Sequence, residues 1–283
     1  MPDSAFQFGV LETMRAGHGK IPLWAFHRAR LQRSASPSPE TLSAINDALE
    51  QVTSRTRDWP QGARVRLRYG VRLGGNMDAP VWDLRVEPLE HTSPWRNGVL
   101  LGLCRTRVTA AATHSPFAPS FDSLGASLGG SSEPTELHGC KLLVRDVYSQ
   151  AATEWPARAT NGGPLVEPVL MAPAGAVIEG SRSNLLLRIG TEWKTPRLDH
   201  FGVRGVMLRW LAGQVQISED TLYPADLANA DELAICNSVR GVIPAQLLAE
   251  TPEEFHKDST ARRPVRAGRD TRMLQALISE KLW

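Results

Sequence analysis

The chain is poor in the features that mark several protein classes. It has three cysteines in 283 residues, Cys104, Cys140 and Cys236. Their odd number and wide spacing give neither a disulfide framework nor a zinc-ligand pattern, so no metal site is expected and a reducing cytoplasm is the expected setting. No run of eighteen apolar residues occurs, which argues against a membrane-spanning helix, and Met1-Pro2-Asp3-Ser4 does not open a secretory signal. Charge of one sign is also missing. Lysine plus arginine number 32 against 30 acidic residues, a net charge of +2, so no global field draws the chain to nucleic acid. Lysine itself is scarce, with 5 against 27 arginines. Any covalent lysine chemistry therefore has few candidates: Lys20, Lys141, Lys194, Lys257 and Lys281.

What is present reads as an α+β protein. Hydrophobic residues make up 42% and charged residues 22%, enough for a full core. Phe8 to Arg15 and Lys20 to Leu23 read as extended runs about a turn at 16–19. Helices are predicted from Trp24 to Ser34 and from Pro39 through Val52, the second with apolar positions Leu42, Ile45, Leu49 and Val52. Residues 63–72 alternate Val65, Leu67, Tyr69 and Val71 with arginines, the pattern of a half-buried strand. Further strands are predicted at 80–88, 98–109, 166–172, 176–179, 184–189 and 232–237. Helices are predicted at 141–155, after Gly202 and at 271–282. The Gly/Ser/Pro-rich stretch 114–134 reads as an interdomain loop, dividing a domain over 1–113 from one over 135–283.

Four segments could carry chemistry. Gly202-Val203-Arg204-Gly205-Val206-Met207 leads into a helix whose first backbone amides suit a phosphate, although glycine before a helix is commonly only a turn. Asn237-Ser238-Val239-Arg240-Gly241 follows a strand and offers a hydroxyl and backbone amides. Glu179 ends an apolar strand, where a carboxylate either meets solvent or pairs with a protonated ring nitrogen. Lys141 lies between the loop and a helix, at the expected domain junction, with Lys194 as its competitor. An anion cup, a reactive lysine and an acid for a pyridine nitrogen together suit pyridoxal 5′-phosphate.

Their order along the chain resembles the class IV (fold-type IV) pyridoxal-phosphate enzymes, a group of branched-chain aminotransferases, D-amino acid aminotransferases and 4-amino-4-deoxychorismate lyases. The run Phe8-Gly9-Val10-Leu11-Glu12-Thr13-Met14-Arg15 is similar to the family's glutamate strand, and His27-Arg28-Ala29-Arg30-Leu31 to its His-x-x-Arg-Leu helix. Cys140-Lys141-Leu142-Leu143-Val144-Arg145 resembles its lysine segment, and Glu179 with Ser183-Asn184-Leu185 its Glu-x-x-x-Ser-Asn-Leu pattern. Thr195 to Met207, Ala230 to Ser238, Ile243-Pro244 and Cys104-Arg105-Thr106-Arg107 look most like the lyase branch. The chain departs from the pattern in lacking the usual strand and turn before the Phe6 region, in Gln7-Phe8-Gly9 where Gly-Asp-Gly is usual, and at three further places. Arg68 to Gly75 replaces the usual substrate-side loop, Val144 stands where asparagine is usual, and the phosphate-helix arginine is displaced to Arg209.

The resemblance implies a smaller N-terminal α/β domain and a larger, barrel-like C-terminal domain. It implies Lys141 as the covalent anchor of pyridoxal 5′-phosphate and Thr13 as a proton-carrying hydroxyl. Arg30, Glu179, Asn184, Gly205, Val206, Met207 and Ser238 would hold the cofactor, and Arg105 and Arg107 would meet substrate carboxylates. The implied partner is a small-molecule amino substrate, in a homodimer, with 4-aminobenzoate and pyruvate as products on the route to folate. A class IV aminotransferase and a non-catalytic homologue are the other readings.

Overall fold

The computed structural model describes residues 6–74, 79–90, 94–109, 112, 114–117, 139–157, 163–199, 201–257 and 262–283. Its first sheet is a three-stranded antiparallel meander of β1 (Phe6–Ala16), β2 (Ala63–Arg72) and β3 (Val81–Pro88), in that order. The alternation in β2 sorts as its period demands: Val65, Leu67 and Tyr69 are buried, while Arg64, Arg66 and Arg68 lie on the other face. Helices α1 (Trp24–Ala35) and α2 (Pro39–Arg55) cover the apolar face, packing Leu31, Ile45 and Leu49 against Met14, Val65 and Leu67. The start of α2 is set by Pro39 in its first turn and by Ser38, whose hydroxyl accepts from the Thr41 N–H at 3.2 Å. Strands β1 and β2 come together most closely at Gly9 and Gly70, where a Cβ on Gly9 would lie 2.3 Å from the Tyr69 carbonyl oxygen.

The second sheet has eight strands: β4 (Val99–Arg107), β5 (Leu165–Met171), β6 (Val177–Gly180), β7 (Asn184–Ile189), β8 (Glu192–Pro196), β9 (Ile217–Asp220), β10 (Glu232–Asn237) and β11 (Gly241–Leu247). They run in the order β6-β5-β4-β11-β10-β7-β8-β9. The sheet curls until its two edges meet, where the Val177 N–H donates to the Leu222 carbonyl at 2.7 Å just beyond β9. Val99, Leu101, Val169, Leu185, Leu187 and Ile235 fill the inside. The alternate residues, among them Leu100, Cys104, Leu170 and Leu186, face a second layer. That layer holds α3 (Asp146–Glu154), α4 (Val206–Ala212), α6 (Pro252–Lys257) and α7 (Arg269–Lys281), while α5 (Pro224–Asn229) supplies Leu227 to the inner core. The fold is therefore the expected α+β, fold-type IV arrangement, a small sheet domain beside a barrel-like one. Among the described residues, no helix is long and apolar enough to cross a membrane.

Three expectations are corrected. Strand β4, expected inside a domain over 1–113, pairs with β5 and β11 in the large sheet, so the change of sheet precedes the 114–134 stretch. Val99-Leu100-Leu101 is apolar on both faces, as suits a strand sandwiched between two layers. The helix expected over 141–155 begins at Asp146, because residues before it pair with β1 instead. The extended run at 20–23 shrinks to one bridge, Gly17 to Lys20, before α1. Most of the 114–134 stretch lies outside the described residues.

Candidate active site

Strand β1 is an edge strand, with spare backbone groups on one side. The segment after Gly139 occupies them: the Leu11 N–H donates to the Lys141 carbonyl at 2.7 Å, and the Leu143 N–H to the Gly9 carbonyl at 2.9 Å. This pairing holds Lys141 extended beside Thr13, and Lys141 Nζ donates to Thr13 Oγ1 at 3.0 Å. Burial, and then the charges of Arg145 and Arg30, push the Lys141 ammonium down to about 7. A lysine in that state has an appreciable neutral, nucleophilic fraction near neutral pH.

On the opposite face of β1, Glu12 is buried with Arg30 and His27 from α1. Arg30 grips it with both edges of its fork, Nε to Oε1 at 2.8 Å and Nη2 to Oε2 at 2.6 Å, and His27 Nδ1 lies 2.6 Å from Oε2. Burial alone would raise the Glu12 pKa. The charge of Arg30 and the hydrogen bonds from His27 and Arg30 overcome it and hold the carboxyl at about 2. The remaining arm of Arg30, Nη1, donates to the Arg204 carbonyl at 3.1 Å, which ties the small domain to the loop entering α4.

Two residues of the barrel fix that loop from both sides of one peptide. Glu179 Oε1 accepts from the Val203 N–H at 3.0 Å, and Asn184 Nδ2 donates to the Val203 carbonyl at 3.0 Å. The loop then reaches Gly205, where a Cβ would lie 1.7 Å from Asn184 Oδ1, so only glycine fits. Val206 and Met207 follow in the first turn of α4, whose amides have no intrahelical partner. Glu179 Oε1 also accepts from the Tyr148 hydroxyl at 2.5 Å. Burial pushes the Glu179 carboxyl up to about 7, against the Tyr148 hydrogen bond and the Arg145 charge. At the end of β10, Asn237 Oδ1 accepts from the Val239 and Arg240 N–H groups at 3.1 and 2.9 Å, and Ser238 Oγ donates to the Thr13 carbonyl at 2.6 Å.

These pieces converge on one cleft. Arg30, Lys141, Glu179, Asn184, Gly205, Val206, Met207 and Ser238 all line it. Thr13 stands behind Lys141 rather than on the wall. Arg105 and Arg107 are elsewhere. Arg105 is 72% exposed and ion-pairs with Glu253 at 2.8 Å, while Arg107 Nη1 turns back onto the Cys104 and Arg105 carbonyls at 2.6 and 2.7 Å. The role given to those two on sequence grounds therefore has no geometric support. Lys194, the competing lysine, pairs with Asp220 at 3.1 Å on the barrel.

Sequence reasoning gave no role to Arg145 and Tyr148. Arg145 lines the cleft, donates Nη2 to the Ser181 carbonyl at 3.0 Å and stacks 3.6 Å over the Tyr148 ring. Its Nη1 is buried without a partner among the described residues. A buried donor left open costs about 1–3 kcal/mol, which a bound acceptor would relieve. The Lys141-x-x-x-Arg145 spacing was the available signal.

The family model for class IV amino-transferases matches residues 9–248. An aminodeoxychorismate lyase of Vibrio harveyi is 24% identical over 261 residues, covering 86% of this chain and 84% of its own. Among solved structures, the 4-amino-4-deoxychorismate lyase of Pseudomonas aeruginosa is 25% identical with a TM-score of 0.70, covering 97% of this chain and 91% of its own. A hypothetical aminotransferase of Mycobacterium tuberculosis, in a PLP-bound form, shares the fold at 21% identity and a TM-score of 0.67, covering 97% and 88%.

Proposed function

The chain belongs to the class IV amino-transferase family, a pyridoxal 5′-phosphate-dependent group, and from that premise we propose that it is a lyase converting 4-amino-4-deoxychorismate to 4-aminobenzoate and pyruvate. The observation that carries this reading is the 3.0 Å contact between Lys141 Nζ and Thr13 Oγ1, an amine and a hydroxyl able to pass one proton between them.

The residues of the cleft suit the cofactor. Lys141 supplies an amine for its carbonyl, Glu179 a buried carboxyl for its ring nitrogen, and Arg145 an open donor for an acceptor oxygen. Arg30, Ser238 and the amides of Gly205, Val206 and Met207 would hold its phosphate, with Asn184 keeping their loop in place. Bound there, the cofactor supplies an electron sink for the carbon that bears the substrate amine.

The chain's own part is proton handling. Lys141, with its depressed pKa, takes the proton from that carbon as general base. Thr13 Oγ1 receives it from Lys141 Nζ and delivers it to the departing enolpyruvyl group, and aromatisation of the ring favours the products. A homodimer in a reducing cytoplasm, feeding folate synthesis, completes the proposal.

The test uses the purified protein with pyridoxal 5′-phosphate and 4-amino-4-deoxychorismate, and no keto acid. Equal amounts of pyruvate and 4-aminobenzoate support the lyase. Turnover only after a keto acid is added makes it an aminotransferase. The absence of a visible absorbance band with excess cofactor would leave a non-catalytic homologue.

A further inference from the structure

A second cavity shares no lining residue with the cofactor cleft. Five separate stretches of chain each bring an arginine to its wall. Arg15 comes from the end of β1, Arg96 from the short helical turn before β4, and Arg240 from the turn between β10 and β11. Arg266 comes from the segment before α7, and Arg272 from the first turn of that helix. Glu90 is the one acidic residue among the described residues of the wall.

Arginines elsewhere in the chain meet carboxylates: Arg30 pairs with Glu12 and Arg188 with Asp270, each at 2.6 Å, and Arg64 pairs with Glu87. Among the described residues, none of the five in the cavity has an ion pair. Arg15 Nη2 donates to the Gln61 carbonyl and Arg96 Nη2 to Gln61 Oε1, both at 3.3 Å, and Arg272 Nη1 donates to the Ala267 carbonyl at 2.6 Å. Arg15 also lies 4.2 Å over the Trp283 ring. The guanidiniums of Arg240 and Arg266 make no hydrogen bond among the described residues. Burial, and then the charge of Arg240, lowers the Arg15 pKa. Burial and the charges of Arg64 and Arg96 lower that of Arg240 against the pull of Glu90. Half-buried like charges are thus gathered with little to balance them.

We propose that this cavity binds a phosphoryl group, at a site separate from the cofactor cleft. A wall of one sign concentrates anions, and guanidinium forks match the several oxygens of a phosphate, which can accept from more than one of them at once. The site would also tie the two sheets together. Arg15 stands two residues beyond Thr13 on β1, and Arg240 two residues beyond Ser238, whose hydroxyl already donates to the Thr13 carbonyl. An anion held by both arginines reinforces that crossing from outside the cleft. The proposal does not rest on the lyase reading.

The test is calorimetric titration with inorganic phosphate and with methyl phosphate at fixed ionic strength, with and without excess pyridoxal 5′-phosphate. Wild type, Arg240→Gln, Arg266→Gln and Arg240→Lys are compared. Wild type should bind phosphate with the cofactor present, each glutamine variant about tenfold more weakly, and Arg240→Lys in between, with the visible band unchanged. Tighter binding of methyl phosphate assigns the site to an ester and tighter binding of the free ion to inorganic phosphate; either supports it. In phosphate-free buffer Arg240→Gln should melt no lower than wild type, since it removes a like charge, and phosphate should raise the wild-type Tm more than the variant's. No binding by wild type overturns the site, as does binding that both glutamine variants keep. Phosphate that binds only without the cofactor overturns it too, because the ion then occupies the cleft. Melting of Arg240→Gln well below wild type without phosphate gives that arginine to the fold instead. A dimer that dissociates in both glutamine variants gives the cavity to a second copy of the chain. Phosphate binding lost in the variants of a protein that shows no visible band removes the cofactor reading and leaves the site standing.

Discussion

The two sheets meet at one cleft but solve burial differently. The small sheet is apolar on one face only, so its strands alternate, and its other face is free to carry Thr13, Arg64, Arg66 and Arg68. The barrel strands are buried on both faces, with Val99, Leu101 and Leu185 inward and Leu100, Leu170 and Leu186 outward against helices. Their polar contributions to the cleft come from strand ends, at Glu179, Asn184 and Ser238. A half-buried sheet can present a row of charges. A fully buried one can offer only its rim. Lys141 is on neither sheet proper: it is held by main-chain pairing to the edge of β1, between the two supplies.

Removing the group between the sheets should have the largest effect. Lys141→Ala should abolish the visible band with pyridoxal 5′-phosphate and lower turnover by at least about 10²–10⁴-fold, the usual weight of a positioned acid–base group. A retained band would move the anchor elsewhere. Glu12→Gln tests the small domain's hold on the cleft. Glu12 has a folded pKa depressed to about 2 from 4.5, so its stabilisation is complete above pH 4.5 and is lost as pH falls towards 2. That difference corresponds to about 3 kcal/mol. The variant should lose about that much stability at neutral pH and show a flatter acid limb in urea titrations. It should also weaken pyridoxal 5′-phosphate more than pyridoxal, because Arg30 is released.

Thr13→Val keeps the strand and its packing but deletes the hydroxyl. A roughly 10²-fold loss in pyruvate release, with the visible band intact, is expected. Unchanged pyruvate release would put the proton relay on another group. The smallest effect should come from Arg145→Gln, which removes the second-largest contribution to the depressed Lys141 pKa. The midpoint for Lys141 deprotonation, followed by pH-dependent reaction with an amine-selective reagent, should rise from about 7. An unmoved midpoint would leave burial and the Arg30 charge as the causes.

The legible parts of the sequence were those written in a period or a local motif. The stripe Leu42, Ile45, Leu49, Val52 gave α2, and the alternation in 63–72 gave β2. Strands β8 and β9 were not read, because Glu-Trp-Lys-Thr-Pro and Ile-Ser-Glu-Asp have neither alternation nor an apolar run. The apolar spacing of Leu142, Leu143, Val147 and Ala151 suggested a single helix. Its first part was claimed by the open edge of β1, a non-local partner that no local pattern reveals. Eight of the residues that line the cleft, Arg30, Lys141, Glu179, Asn184, Gly205, Val206, Met207 and Ser238, were legible through motifs, whereas Arg145 was not. Local sequence does not show that Glu253 would take the Arg105 side chain and that the Cys104 and Arg105 carbonyls would take that of Arg107.

The sequence by itself determined the α+β class, the few lysines available for covalent chemistry, and the glycine and carboxylate motifs that bring Lys141, Glu179 and Gly205 under suspicion. Tertiary structure alone decided that Lys141 Nζ faces Thr13, that β4 joins the barrel, and that Arg66 stands opposite Arg85. The physical reason is separation along the chain. Periodicity reports on burial within a few residues, whereas strand register and edge pairing match backbone groups more than a hundred residues apart, as those of Leu11 and Lys141 are.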